Sequence, residues 1–454
     1  MAERLARRLG TTDAVVIGLS AMIGAGVFVA FSPAVQAAGS WLFLALAIAA
    51  VVAYCNATSS ARLAALYPES GGTYVYGRRR LSPFWGYLAG WGFTVGKTAS
   101  CAAMALTFGA YVAPALTQPL AIGAVVGVTA LNLLGVQRSA GAARVMVAFV
   151  LAVLAMVIAA GLLTGPAPPF SLTDPTAYGM PDPLAIPGWL GLQPEPEPET
   201  GLTMTAVAVA GGGSWSLPGV LQGAGLLFFA FAGYARIATL GEEVRDPSRT
   251  IPRAVGIALA VTLVVYALVA LAALHALGPE RLGLSRAPLA DVARTAGVAW
   301  LVPVVSAGAA VAALGALLAL VLGVSRTVLA MARNRDLPAF LDAIHPARQV
   351  PHRAEPAVGV TVIILLLLAD LRGAIAFSSF GVLVYYAIAN AAALTLTRDE
   401  GAPRRVIPVA GLGLCLLLAF TLPWAAVVAG LAVFAFGAVL WFLRHRGHRP
   451  AAGR

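Results

Sequence analysis

The stretch GVLQGAGLLFFAFAGYARIATLGEEVRDPSRTIPR, residues 219–253, decides the fold of this chain. It begins with an apolar run that is long enough to cross a bilayer, which takes about 20 residues. The run nevertheless contains several glycines and then a charge, Arg236. Irregular backbone at membrane depth is tolerated only where it lines a cavity or is buried in protein. We therefore predict a membrane-spanning helix that is broken at 232–235, including Tyr234.

A second interrupted span lies near the N-terminus. The apolar run from 14 to 37 contains, near its middle, the residues Ile23, Gly24, Ala25 and Gly26. Glycines in a membrane helix also serve close helix packing, which is the alternative explanation. Two glycine-interrupted spans at matching places in the two halves of a chain are, however, the sequence feature that best indicates a transporter's binding site. The pairing favours a binding site.

The composition indicates a polytopic membrane protein. Of 454 residues, 60% are hydrophobic and only 11% are charged, whereas soluble domains carry about 25% charged residues. The net charge of +11 does not imply a nucleic-acid partner, because the arginines lie at the ends of apolar runs, where the orientation rule for membrane helices explains them. The cysteines lie inside apolar runs without metal-ligand spacing, so no metal and no cofactor are predicted.

The apolar pattern predicts an all-α fold with twelve transmembrane helices. Spans one to five and six to ten form two repeats, and an odd number of helices in each repeat gives the repeats opposite orientations in the membrane. The arginine clusters place both termini in the cytoplasm. The predicted units are a first repeat (1–164), an extracellular Pro- and Gly-rich loop (165–217), a second repeat (218–397), and two further helices with a basic tail (398–454). The predicted spans are 14–37, 41–66, 83–113, 116–136, 144–164, 219–240, 254–277, 298–332, 356–371, 374–396, 406–421 and 424–443.

The two breaks have complementary chemistry. The half-helix that starts near Val27 is expected to present free N–H groups and a positive dipole end, which suit a carboxylate. The unwound carbonyl groups at 232–235 suit an ammonium group. We therefore expect the pair of breaks to hold an α-amino acid by its head groups.

Lys97 is the single lysine of the chain and lies about halfway along the third span. A charge at that depth is costly and indicates function by default. We expect Lys97 to carry a coupling proton or to place its ammonium group where another transporter binds sodium. The structural alternative is that its side chain pairs with a helix-terminal carbonyl or extends to the membrane surface.

Charges that follow the second break suggest a gate. Arg236 either faces the site and attracts a carboxylate, or pairs with Glu243, which lies about two turns further along a helix. Glu242 and Glu243 end span six, and we expect them to form an ion-pair cluster that closes the cytoplasmic side. Pro247 and Pro252 are expected to interrupt the chain before span seven. The candidate partners of the glutamates are Arg62, Arg78 and Arg326.

Four motifs resemble the amino acid–polyamine–organocation transporters. They are MIGAGVF (22–28), PESGGTYVY (68–76), FFAFAGYARIATLGEEVRDPSRTIPRA (228–254) and SRTVLAMARNRDLP (325–338). The resemblance covers about residues 10–400 and implies a five-plus-five inverted repeat, alternating access and amino-acid substrates. It implies that the substrate carboxylate binds at 23–26, and that Phe231, Ala232 and Gly233 offer carbonyl groups to its amine.

The chain departs from that family at two positions. Members that carry cationic amino acids tend to have an acidic residue at the position of Ala235 and a small polar residue at that of Arg236. Sodium-independent relatives tend to have a lysine in the fifth helix, where the nearest residue here is Val150. The first departure disfavours a basic substrate. The second suggests that Lys97, from the third span, replaces the fifth-helix lysine of the sodium-independent relatives.

The combined expectation is a sodium-independent amino-acid transporter of a bacterial-type plasma membrane, either proton-coupled or exchanging, with Phe231 as a lid over the substrate. Its partners are a small-molecule substrate and membrane lipid. Two alternatives stay open: a permease for polyamines or other organic cations, and an amino-acid sensor that does not transport. An enzyme is not expected, because no nucleophile–base pair or metal cluster is evident in the sequence.

Overall fold

The structure is a computed structural model that describes residues 10–67, 71–135, 140–166, 216–234, 237, 244–346, 348 and 350–446. Its helices, in chain order, are α1 (Thr11–Met22), α2 (Gly26–Val29), α3 (Phe31–Ala38), α4 (Leu42–Leu66), α5 (Thr73–Arg80), α6 (Pro83–Val112), α7 (Thr117–Leu133), α8 (Ala140–Leu163), α9 (Leu217–Phe231), α10 (Pro247–Leu284), α11 (Pro288–Thr295), α12 (Leu301–Arg333), α13 (Ala354–Leu368), α14 (Leu371–Leu394), α15 (Val406–Thr421) and α16 (Trp424–Arg446). The predicted loop at 165–217 lies almost entirely outside the described residues.

The helices have the length and composition of membrane spans. Within the described ranges, nine helical segments are long and apolar enough to cross a bilayer. Helices α13 and α15 are apolar but only 15 and 16 residues long. Large apolar side chains point outward, with Trp424, Leu368 and Val406 each more than three-quarters exposed, as expected for a surface covered by lipid. The prediction of an all-α, polytopic membrane protein is confirmed, whereas twelve spans and an inverted repeat stay predictions.

Helix α6 lies in the interior and packs against α12 and α14. It has 30 residues and is not among the nine apolar segments, since glycines, hydroxyls and Lys97 reduce its hydropathy. Its glycines serve close packing: a Cβ atom on Gly381 of α14 would lie 3.0 Å from the Cα atom of Gly96. Small residues allow two helix backbones to approach in this way. The only lysine of the chain is thereby held at the centre of the fold.

Helix α10 corrects one expectation about chain breaks. Pro247 and Pro252 do not interrupt the chain before the seventh span, because both lie within α10. Pro247 is at the first helical position, where a proline costs little since its missing N–H has no helical acceptor. Near the other end of α10 the backbone turns at Gly278, whose φ of 71° suits glycine.

Candidate functional site

The first helix is broken where the sequence predicts it. Helix α1 ends at Met22, Ile23 has non-helical dihedral angles (φ −82°, ψ 53°), and helical structure resumes at Gly26. Among the described residues, none accepts a hydrogen bond from the backbone N–H groups of residues 24–27. Ile23 and Ala25 have no exposed surface. The break therefore holds four buried backbone donors that no described group satisfies.

The second break directly follows α9. That helix ends at Phe231, and residues Ala232–Tyr234 form a single turn of 3₁₀-helix. The two breaks touch through their backbones. A Cβ atom on Gly233 would lie 2.2 Å from the carbonyl oxygen of Ala21, and one on Gly26 would lie 2.8 Å from the Cα atom of Ala230. Glycine is required at both contacts, because a Cβ atom never approaches backbone atoms this closely.

Tyr266 of α10 connects the two broken helices. Its hydroxyl oxygen lies 2.6 Å from the carbonyl oxygen of Met22 and 3.0 Å from that of Ala230. Its ring packs edge-on against Phe231, with centroids 5.0 Å apart. Tyr266 is not among the residues predicted from the sequence. A lone tyrosine within the apolar run VTLVVYALVAL is nevertheless a signal, because a buried hydroxyl needs a partner.

Lys97 reaches the second break from α6. Its Nζ atom lies 3.5 Å from the carbonyl oxygen of Ala232, and the residue is only 7% exposed. No described carboxylate forms an ion pair with it. The ammonium group is therefore buried beside the broken helix, and its polar partner is a neutral carbonyl.

The aromatic residues of the second break are buried. Phe231 has no exposed surface and lies against Tyr266, so its predicted role as a lid stays a prediction. Tyr234 is also fully buried, and its ring centroid lies 5.1 Å from that of Tyr386 in α14. Within the described chain, neither tyrosine hydroxyl has a hydrogen-bond partner of normal geometry. These hydroxyls are polar groups close to the break that a ligand or water can satisfy.

The segment 282–285, which follows the turn in α10, is bonded to α3. The hydroxyl oxygen of Ser32 lies 2.8 Å from the carbonyl oxygens of both Leu282 and Ser285. The side-chain amide of Gln36 donates to the carbonyl oxygen of Gly283 at 2.8 Å. We call these contacts the 282–285 cap. It joins α3, which continues from the first break, to the end of α10.

A carboxylate network that we call the Asp336 hub connects three further helices. Oδ2 of Asp336 accepts hydrogen bonds from the Tyr74 hydroxyl at 2.7 Å and from Arg78 at 2.8 Å. Arg444 donates to the backbone carbonyl of Asp336 at 2.9 Å. The Asp336 side chain has no exposed surface. Burial raises the pKa of Tyr74, and its hydroxyl stays a donor. The hub ties the short helix α5 to the ends of α12 and α16.

The predicted gate residues are only partly described. Arg236, Glu242 and Glu243 lie outside the described residues. Arg62 and Arg326 are exposed on α4 and α12, and neither forms an ion pair with another described residue. The third candidate partner, Arg78, pairs with the carboxylate of the hub described above. That carboxylate was not predicted, because its partners come from helices far away along the chain.

Taken together, the breaks and the apolar helices define a polytopic membrane protein of the transporter class, in which interrupted helices carry the substrate site. The chain belongs to the amino acid permease family, whose model matches residues 9–448. Its members are permeases and not enzymes, and they imply a small-molecule amino-acid substrate.

Individual relatives are similar over most of the chain. An uncharacterized transporter of Mycobacterium tuberculosis (strain H37Rv) is 59% identical over 445 residues, which cover 97% of this chain and 92% of that protein. The branched-chain amino acid permease BcaP of Bacillus subtilis is 24% identical, covering 98% of this chain and 94% of its own. The cationic amino acid transporter 7 of Arabidopsis thaliana is 27% identical, with 86% of this chain and 65% of that protein covered.

Proposed function

We propose that this protein is a sodium-independent secondary transporter that moves amino acids across the cell membrane by alternating access. The observation that carries the proposal is the contact between the two breaks. Four buried N–H groups without described partners, at residues 24–27, lie in the same contact as the carbonyl groups of the second break. Donors on one side and acceptors on the other match the two head groups of an α-amino acid.

The head groups have defined partners in this proposal. The N–H groups of residues 24–27 bind the substrate carboxylate, because free N–H groups at a helix start favour an anion. The carbonyl groups of Phe231, Ala232 and Gly233 bind the α-ammonium group, and Tyr234 and Arg236 are further residues of the proposed site. Phe231 covers the substrate.

Sodium independence follows from Lys97. Unwound carbonyl groups are the usual ligands of a coupling cation in transporters of this kind. Here the Nζ atom of Lys97 lies 3.5 Å from the Ala232 carbonyl oxygen, where it supplies the positive charge that a sodium ion would otherwise bring. Transport is then driven by protons or by exchange of a second amino acid.

Alternating access requires that each end of the site opens in turn. The architecture we propose is the twelve-helix, five-plus-five inverted repeat, with both termini in the cytoplasm. The Asp336 hub then lies on the cytoplasmic side and the 282–285 cap on the outside. Glu242 and Glu243 join the hub side as further gate residues, with Arg62 or Arg326 as partners.

A permease for organic cations is the second candidate, and the names of the Arabidopsis relatives favour it. Lys97 counts against it, because like charges repel strongly in a buried site. A sensor that binds without transport is the third candidate. It predicts ligand binding without any flux.

The test is counterflow in liposomes that contain the purified protein and an internal pool of unlabelled amino acid. We expect transient accumulation of labelled amino acid at equal rates in sodium and in choline buffer. Ligand-dependent thermal stabilisation without counterflow would establish a sensor instead. A rate that falls severalfold when choline replaces sodium would reject sodium independence. Uptake under the same pH gradient, measured in liposomes with and without internal amino acid, separates proton coupling from exchange.

A further inference from the structure

Among the described residues, no carboxylate compensates the charge of Lys97. The side chain is 7% exposed, and its Nζ atom lies 3.5 Å from the carbonyl oxygen of Ala232. A buried charge is costly unless an opposite charge joins it. A lysine at the centre of a membrane helix bundle therefore either gives up its proton or is joined by an anion, and a substrate that carries a second carboxylate can supply that anion.

The surroundings of Lys97 offer hydroxyl groups and no described acid. Helix α14 packs on the same turn of α6, since a Cβ atom on Gly96 would lie 3.2 Å from the carbonyl oxygen of Ser378. The hydroxyls of Ser378 and Ser100 lie 2.6 Å apart and satisfy each other. The neighbouring Ser379 is buried, and its hydroxyl has no hydrogen-bond partner in the described part of the chain. Uncharged hydroxyls of this kind can solvate a ligand but cannot neutralise an ammonium group.

We propose that Lys97 selects substrates that carry a second carboxylate, namely acidic amino acids. This inference rests on the proposed binding of an amino acid at the two breaks. A neutral amino acid adds no net charge and leaves the Lys97 ammonium uncompensated. An acidic amino acid brings one net negative charge and makes the occupied site neutral.

The arrangement gives each charged group of such a substrate a partner. The α-carboxylate binds the N–H groups of residues 24–27, and the α-ammonium group takes over the Ala232 carbonyl. The Nζ atom of Lys97 then leaves that carbonyl and binds the side-chain carboxylate. The positive charge of Lys97, rather than its shape, therefore sets the preference.

The test compares isosteric pairs of substrates in the full-length protein reconstituted in phosphatidylcholine liposomes. Labelled glutamate is compared with glutamine, and aspartate with asparagine, by equilibrium binding and by counterflow. At least one acid is expected to bind about tenfold or more tightly than its amide, because a buried pair of opposite charges interacts strongly. Lys97→Gln is expected to remove this preference, and Lys97→Arg is expected to keep it. Thr107→Val, ten residues further along α6, is the control and is expected to keep the wild-type ratio, because the Thr107 hydroxyl donates to the Ala103 carbonyl of its own helix.

The outcomes separate the two claims. If wild-type protein binds and transports both glutamine and asparagine as well as the matching acids, the selectivity proposal is wrong while amino-acid transport stands. The same holds if Lys97→Gln leaves the acid-to-amide ratio unchanged. If no amino acid binds at all, both the selectivity and the proposed function are wrong. Should Lys97→Gln fail to fold, the acid-to-amide ratios of the wild-type protein and of Lys97→Arg still decide whether the selectivity proposal holds.

Discussion

The two broken helices differ in what they leave available. At the first break, the N–H groups of residues 24–27 have no partner among the described residues. At the second break, the carbonyl oxygens of Ala230 and Ala232 are already contacted by Tyr266 and Lys97. One break is therefore a set of donors that no described group satisfies, and the other is a set of acceptors that the protein partly satisfies itself.

This difference assigns separate tasks to the two breaks. Donors that are fixed in place bind a carboxylate without rearrangement, because their orientation is set by folding. An ammonium group must instead compete with a side chain of the protein for the Ala232 carbonyl. The proposed function therefore assigns orientation of the substrate to the first break and discrimination among substrates to the second.

The largest expected effect comes from separating the two breaks. In Gly233→Ala, the new Cβ atom would lie 2.2 Å from the Ala21 carbonyl oxygen, a backbone atom that cannot turn away. We expect uptake to fall more than about tenfold, and stability to fall by about 1–3 kcal/mol or more, as for other overpacked interiors. Gly256→Ala is the control, since nothing lies within 4 Å of its Cβ position. Equal uptake by the two variants would show that the breaks need not touch.

An intermediate effect is expected from Tyr266→Phe, which removes only the hydroxyl that contacts Met22 and Ala230. The two buried carbonyl groups then lose the single O–H donor that they share, which costs about 1–3 kcal/mol. The measurement is the midpoint of thermal unfolding, with Tyr54→Phe as control because Tyr54 is 55% exposed. If both variants unfold at the wild-type temperature, Tyr266 does not hold the breaks together.

The smallest effect is expected away from the breaks, at the Asp336 hub. Asp336→Asn keeps the shape of the side chain but removes the charge that faces Arg78, whose side chain is 29% exposed. We expect the free energy of unfolding to fall by about 1–2 kcal/mol. The loss is smaller than for a fully buried pair, because solvent screens the charge of Arg78. Asp342→Asn is the matched control, because its pair with Arg333 is exposed on both sides.

The same variant tests whether the hub keeps the first break buried. In an Ala25→Cys background, Asp336→Asn is expected to raise the rate of labelling by a water-soluble maleimide severalfold, whereas Asp342→Asn leaves it unchanged. Identical rates in the two backgrounds would show that the burial of the break does not depend on the hub.

Local features of the fold were predictable from the sequence, because hydrophobic runs and glycines act where they occur. The interruptions at 23–26 and 232–234, and the all-α membrane class, follow from run length and from glycine in an apolar span. Lys97 was identified by the cost of a charge at membrane depth, and the structure brings it to the second break.

Contacts between distant residues were not predictable in the same way. Tyr266 lies 244 residues from Met22, and Tyr74 lies 262 residues from Asp336. No periodicity in one segment indicates which segment will face it. Only the folded arrangement shows that a tyrosine in the seventh predicted span contacts two carbonyl oxygens, or that Arg78 pairs with a carboxylate just after the end of α12.

Tyr111 of α6 has a mechanical consequence. Its hydroxyl donates to the carbonyl oxygen of Phe28 at 2.8 Å and accepts from the N–H of Leu289 at 3.3 Å. Leu289 belongs to the short helix α11, and Phe28 to the turn directly after the first break. Any displacement of α11 must therefore either rupture a bond at one phenol oxygen or pull the Phe28 turn along. A movement of α11 is thus transmitted to the first break through this shared phenol oxygen.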